Sequence, residues 1–212
     1  MFQPDEHVIA FGAGVPRQSR SDICALMQEA DRFASRTHNR DVYWQAWMNY
    51  FDARLRKYGC ERLTTITSQP LFVSDNDELD DLTLSFSTCD DAQGLVDLAQ
   101  RVLATLGIHD FVEAWLATDG QGNARLGSWV VVPCNLNRHG EIVLTTFGVQ
   151  LRGLPFTSQR KPEVVMRVSG GIYTFDPQAY EPFRREVRER IKGMNLRKLT
   201  QTAELFKAPG SP

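Results

Sequence analysis

The sequence predicts an α+β fold, with an N-terminal helical hairpin, an antiparallel β meander and a C-terminal helix. Three observations carry that expectation. Two stretches between Ser19 and Gly59 repeat apolar residues at helical spacing. From Phe111 onward the pattern turns to β-rich runs separated by Gly-containing turns. Asp176-Pro177 then opens a last amphipathic stretch, with proline suited to the first helical position.

Taken in order, His7–Phe11 is a short apolar, strand-like run, and Gly12 and Gly14 supply a permissive loop behind it. Ser19-Arg20-Ser21-Asp22 has the spacing of a capping box, Ser19 as N-cap and Asp22 reaching back. Ile23, Leu26, Met27, Ala30, Phe33 and Ala34 form one helical stripe after it. Asn39 suits the N-cap of a second helix, on which Trp44, Trp47, Met48, Phe51, Leu55 and Tyr58 share a face. Gly59 suits its C-terminal cap. Tyr43 and Tyr50 flank that face, as core or as an exposed interaction stripe.

Leu63–Val73 reads as a strand around the β-branched cluster Thr64-Thr65-Ile66-Thr67. Residues 81–88 alternate Leu82, Leu84 and Phe86 as a strand would, and a short helix competes there. A helix from Asp90 or Asp91 to Gly107 is expected next. Phe111–Ala117, Ser128–Cys134 and Ile142–Leu151 read as three strands of a meander, turning through 119–123 and Asn137-Arg138-His139-Gly140. Val164–Val168 and Ile172–Phe175 offer one or two more strands. Phe183, Val187, Ile191 and Met194 make the buried face of the closing helix.

At 212 residues, 42% hydrophobic and 24% charged, the chain suits one domain over residues 1–207, followed by a flexible Pro/Gly/Ser tail at 208–212. The net charge of −2 predicts no affinity for nucleic acid. Charge is uneven, however: acids outnumber bases over 1–110 and bases outnumber acids over 111–212. Such asymmetry favours docking on a partner or head-to-tail self-association.

Cys24, Cys60, Cys89 and Cys134 show no C-x-x-C spacing and read as reduced, mostly buried thiols. The N-terminus is acidic, without the basic and apolar regions of a signal peptide. No stretch approaches the roughly 20 apolar residues of a membrane span. Residence in the cytoplasm is the expectation, and export that needs no cleaved signal is compatible with the same N-terminus.

Phe11-Gly12-Ala13-Gly14-Val15, the helix from Ser21, and Trp44, Tyr50, Leu55 and Gly59 resemble a family of stand-alone microbial proteins of about this length. Phe175-Asp176-Pro177-Gln178-Ala179-Tyr180, with Val187, Arg190 and Ile191, is similar to that family's closing strand and helix. Residues 61–110 depart from it, since its members look more helical there. The resemblance implies a globular module and supplies no catalytic residue.

Four features are candidates for a site. Gly12-Ala13-Gly14 lies between a strand-like run and a helix start, so Gly12 and Gly14 with Arg17 and Arg20 are candidates to hold an anionic group. A structural turn is the competing reading, because neither a third glycine at position 17 nor a Gly-Lys-Ser/Thr follows. The acidic run 75–81 and the turn 119–123 fail the calcium-loop pattern at their sixth or twelfth positions, so no metal is expected. Cys134 and His139 are near in sequence, but nothing completes a nucleophilic constellation around them. Arg184, Arg185 and Arg188 head a basic cluster diluted by Glu181, Glu186 and Glu189. Pairs such as Glu186–Arg190 and Glu181–Arg185 would solvate that face, and an acidic protein surface is the partner that would suit it.

These features point to a non-enzymatic protein-interaction module (an adaptor, an inhibitor or a delivered effector) needing no cofactor. Its partner-binding candidates are Arg184, Arg185, Arg188, Tyr43 and Tyr50. One alternative is a small-ligand-binding protein or enzyme using the Gly12–Gly14 loop. Another is a protein that binds a membrane surface through the basic helix.

Overall fold

The structure, a computed structural model, describes residues 7–67, 70–73, 108–117, 125–154, 157, 163–192 and 199–201. Within them the fold is α+β, with helices packed on a mixed seven-stranded sheet. Strand β1 (His7–Phe11) leads into α1 (Arg17–Thr37) and α2 (Trp44–Lys57), which pack together as the N-terminal hairpin. There follow β2 (Cys60–Thr67), β3 (Leu71–Val73), α3 (Ile108–Ala117), β4 (Arg125–Leu136), β5 (Ile142–Leu154) and β6 (Glu163–Phe175). The chain closes with α4 (Pro177–Tyr180), a 3-10 turn (Glu181–Phe183), α5 (Arg184–Ile191) and β7 (Leu199–Gln201).

The sheet order is β2-β6-β5-β4-β1-β7, with β3 also pairing with β6. Strands β4, β5 and β6 form an antiparallel meander, whereas β1 runs parallel to both β4 and β7. All five residues of β1 are buried, as befits an interior parallel strand covered on both faces. Residues alternate between two cores. Ile9, Phe11, Val130, Leu144 and Tyr173 face α1, α2 and α5, while Val8, Trp129, Phe147, Val149 and Val168 face the side on which α3 packs.

The stripe of α2 forms the centre of the helix-side core. Trp44, Trp47 and Phe51 are buried and their rings stack in series, with centroids 5.8 and 5.2 Å apart. Contacts of this kind add about 1 kcal/mol each beyond the area they bury. Gly59 ends the helix at φ +87°, where a side chain would be strained.

Several expectations are corrected. Helix α1 starts at Arg17 after an extended Pro16, so Ser19 lies inside the helix and no capping box forms. Asp22 is instead drawn into a contact with α5. Asn39 caps a turn, accepting from the N–H groups of Asp41 and Val42, and α2 begins only at Trp44. The single strand expected over Leu63–Val73 is two strands in line along one edge of β6. Phe111–Ala117 is helical, and the meander is completed by β6, one continuous strand through Gly170-Gly171. Val112 and Trp115, three residues apart, reach the same core, and the Trp115 indole lies against Gly153. Helical period and tertiary contact there outweigh the local β-propensity of Phe, Val and Trp.

The expected elements at 81–88 and 90–107, the acidic run 75–81, the turn 119–123, Met194 and the tail 208–212 lie outside the described residues. Among the described residues, no helix is long and apolar enough to cross a membrane.

Candidate functional site

The loop after β1 is held by its own chain. The Gly12 N–H donates to the Cys134 carbonyl at 2.8 Å, extending the β1–β4 contact, and the Val15 N–H donates to the Gly12 carbonyl at 3.2 Å. Arg20, one turn into α1, clasps the loop from outside. Its Nε donates to the Val15 carbonyl at 2.8 Å, and its Nη2 donates to those of Gly12 and Ala13, each at 3.0 Å. Toward Arg20 the loop therefore presents acceptors, not the N–H donors that cradle a phosphate.

The glycines answer to packing. A Cβ on Gly12 would stand 2.1 Å from Asn135 Oδ1, and one on Gly14 would stand 3.0 Å from Leu136 Cδ1. Both neighbours end strand β4, so this loop is where the β1–β4 pair closes against α1.

The last helix is anchored by a buried acid. Asp22 is fully buried; Arg184 Nε and Nη2 donate to its carboxylate at 2.9–3.1 Å, and Arg188 Nη2 donates at 3.3 Å. The Arg184 guanidinium is held above its usual pKa, first by that bond to Asp22. Of the basic cluster, Arg184 is thus a structural clamp, Arg188 is shared and half-exposed, and Arg185 is exposed with no ion pair among the described residues. The Glu186–Arg190 pair forms as expected at 2.9 Å. Glu181 pairs with Arg184 and not with Arg185, because it lies in the 3-10 turn, where residues three apart eclipse.

Between α1 and α5 runs an open groove of about 570 Å³. Arg17, Arg20, Ser21, Cys24 and Gln28 line it from α1, and Arg188 and Ile191 from α5. Among the described residues three arginines enter the lining and no carboxylate does. Arg17 has no ion pair among the described residues, and Arg20 keeps Nη1 free of the loop carbonyls. The structure thus brings Arg17 and Arg20 together with Arg188, and leaves Gly12 and Gly14 behind them.

Tyr43 and Tyr50 lie elsewhere, with Val42, at the far end of α1. That is about 25 Å along the helix from Arg20. Tyr43 is 59% and Val42 66% exposed. His38 packs edge-on against Tyr50, ring centroids 4.6 Å apart, and Phe33 stacks on the same tyrosine at 5.8 Å. The two sets of partner-binding candidates therefore form separate surfaces.

Several polar groups escape a reading of sequence. Glu29, fully buried on α1, accepts from Arg32 at 2.6 and 3.1 Å and from Arg54 of α2 at 2.8 and 3.1 Å. The bond to Glu29 holds the Arg32 guanidinium above its usual value. His7 Nε2 lies 3.2 Å from Asp31 Oδ1 beneath the rings of Trp47 and Phe51. Tyr173 donates to Asp52 at 2.7 Å, and its phenol is pushed up, first by burial and then by that bond. In the sequence only the acids Glu29, Asp31 and Asp52, set on the two amphipathic helices, mark these clusters.

Among the described residues the thiols form no nucleophilic site. Burial pushes Cys60 and Cys134 up, away from the reactive thiolate. Cys134 faces the helix-side core, whereas His139 is exposed on the β4–β5 turn. Cys24 is half-buried in the groove wall. No group of three or more metal-ligating side chains converges among the described residues.

No family model and no curated protein matches the chain. Among solved structures it is similar to one described as "Structure of the Evf virulence factor", with a TM-score of 0.40 and 13% identity. The match covers 93% of this chain and 83% of that one. At that level of similarity it bears on neither mechanism nor partner.

Proposed function

We propose that the protein is a non-enzymatic interaction module, an adaptor, inhibitor or delivered effector, that grips an acidic protein surface through the α1–α5 groove. The observation that supports this most is the groove's described lining, which holds three arginines and no carboxylate. Arg17, unpaired among the described residues, and the Nη1 that Arg20 leaves off the loop carbonyls supply guanidinium donors at the rim, and such donors steer and orient an acidic partner and fit its carboxylates. A second copy of this chain, offering the acid-rich N-terminal half, is one such partner. The proposed setting is the cytoplasm, or a compartment reached by export without a cleaved signal.

The test is capture from host lysate at low and moderate salt, comparing wild type with an Arg17→Glu variant. Arg184 is left intact because Asp22 depends on it. A stoichiometric acidic partner, retained by wild type and lost by the variant, is the expected result. A partner bound equally by both at physiological salt would remove the groove from the interface. Binding of the wild type to anionic vesicles, with no protein captured, would favour the membrane-surface reading.

A further inference from the structure

A second concavity, separate from the groove, opens where α2 starts above the sheet. It encloses about 480 Å³, within the range of small-ligand sites, and is lined by described residues from α2, β5, β6 and the segment before β3. Its floor is the helix-side face of β5 and β6. Alternation along β5 places Arg152 on the same face as Ile142 and Leu144, and along β6 it places Arg167 with Tyr173 and Phe175. Gln150 lies opposite Arg167 and Arg152 opposite Val165, so the two arginines are diagonal neighbours, with Cβ atoms about 7 Å apart.

Both arginines are exposed, and neither has an ion pair among the described residues. Like charges set side by side on a sheet repel each other, and a shared anion relieves that repulsion. Gln150 is fixed beside them, its Nε2 donating to the Asp41 carbonyl at 3.2 Å.

The walls differ in character from the floor. Tyr43, 59% exposed, and Val42 stand on one side with the buried Trp44 behind, and exposed Pro70 borders the opening. Among the described residues the one ring against Tyr43 is His38, edge-on at 6.2 Å, which leaves the faces of the tyrosine ring as a platform. The first turn of α2 carries no acid, and Asp41, just before that helix, is the single carboxylate in the described lining against the two arginines of the floor. A paired cationic floor beside an aromatic wall selects a ligand with both an oxyanion and a flat ring.

We propose that this cleft binds a planar organic anion, an aromatic or heteroaromatic ring carrying phosphate or carboxylate. The oxyanion sits between Arg152 and Arg167, and the ring rests against Tyr43. This site is independent of the partner groove.

Calorimetric titration with adenosine monophosphate, phthalate, adenosine and inorganic phosphate tests it. Adenosine monophosphate or phthalate should bind at least tenfold more tightly than adenosine or phosphate alone; which of the two binds better distinguishes a phosphate from a carboxylate ligand. An Arg152→Gln, Arg167→Gln variant with unchanged melting should lose tenfold or more. Tyr43→Ala should lose severalfold, and Arg17→Gln, in the other groove, should lose nothing. If neither ring-bearing anion binds better than inorganic phosphate, the proposal is overturned. Binding that survives the double arginine variant overturns it equally.

Discussion

Two groups of arginines meet helix α1 with opposite fates. Around its middle, Arg32 and Arg54 close on the buried Glu29, each guanidinium making two bonds to one carboxylate. Near its start, Arg17 stands unpaired beside Arg20 and Arg188 on an open groove. The first group is fixed by packing, with Arg54 lying 4.0 Å over the Phe33 ring. The second keeps donors facing water. The difference teaches that the number of arginines says little about binding; what matters is which of them the fold has already supplied with an acid.

The comparison breaks most sharply at Glu29. Glu29→Ala leaves two nearly buried guanidiniums without their carboxylate, and should lower stability by about 3–5 kcal/mol in urea or thermal denaturation. A variant that melts like wild type would mean that this cluster is as dispensable as a surface pair. Trp47→Ala gives an apolar reference in the same core, with an expected loss of about 3–5 kcal/mol. Near-wild-type melting there would show that the stacked rings of α2 do not carry the core.

Asp22 lies between the two extremes, fully buried itself but paired with arginines that reach solvent. Asp22→Asn should cost about 2 kcal/mol, less than Glu29→Ala, because the freed arginines can turn to water. It should also free Arg188, and so strengthen capture of an acidic partner while loosening α5. Equal losses at Asp22 and Glu29 would erase the distinction between the clusters.

The buried thiols and phenols sharpen the same point for neutral groups. Burial raises Cys60, Cys134, Tyr173 and Tyr180, so the folded chain keeps protons that the unfolded chain gives up. Their contribution is complete below the unfolded values and is lost as pH rises above them. Stability should therefore fall from about pH 9 through the thiols, and further from about pH 10 through the phenols. Constant stability between pH 8 and 11 would contradict the burial of these groups. The smallest effect belongs to the groove: Arg17→Glu should change stability by less than about 0.5 kcal/mol, while partner capture falls.

Much of the helix hairpin was legible because its signal is local. The aromatic stripe of α2 repeats at helical period, and Gly59 stands at the one position after it that needs a left-handed backbone. Asp176-Pro177 was legible for the same reason: its carboxylate accepts from the Gln178 N–H, as an N-cap should. Helix α3 was misread because Phe, Val and Trp favour strands in isolation, and only the core position of Trp115 selects the helix. Of the candidate sites, Arg17 and Arg20 were legible as cations near a helix start. Their meeting with Arg188 was not, nor was the pairing of Arg152 with Arg167.

The sequence by itself determined the α+β class, the helical hairpin, the buried aromatic face and the final helix, because periodicity and caps act within a few residues. The tertiary structure alone decided that β1 lies parallel to β4, that Asp22 clamps α5, and which arginines remain unpaired. Each of those outcomes depends on residues far apart in the chain. Desolvation then rewards pairing for a charge that is buried and leaves an exposed charge indifferent to it.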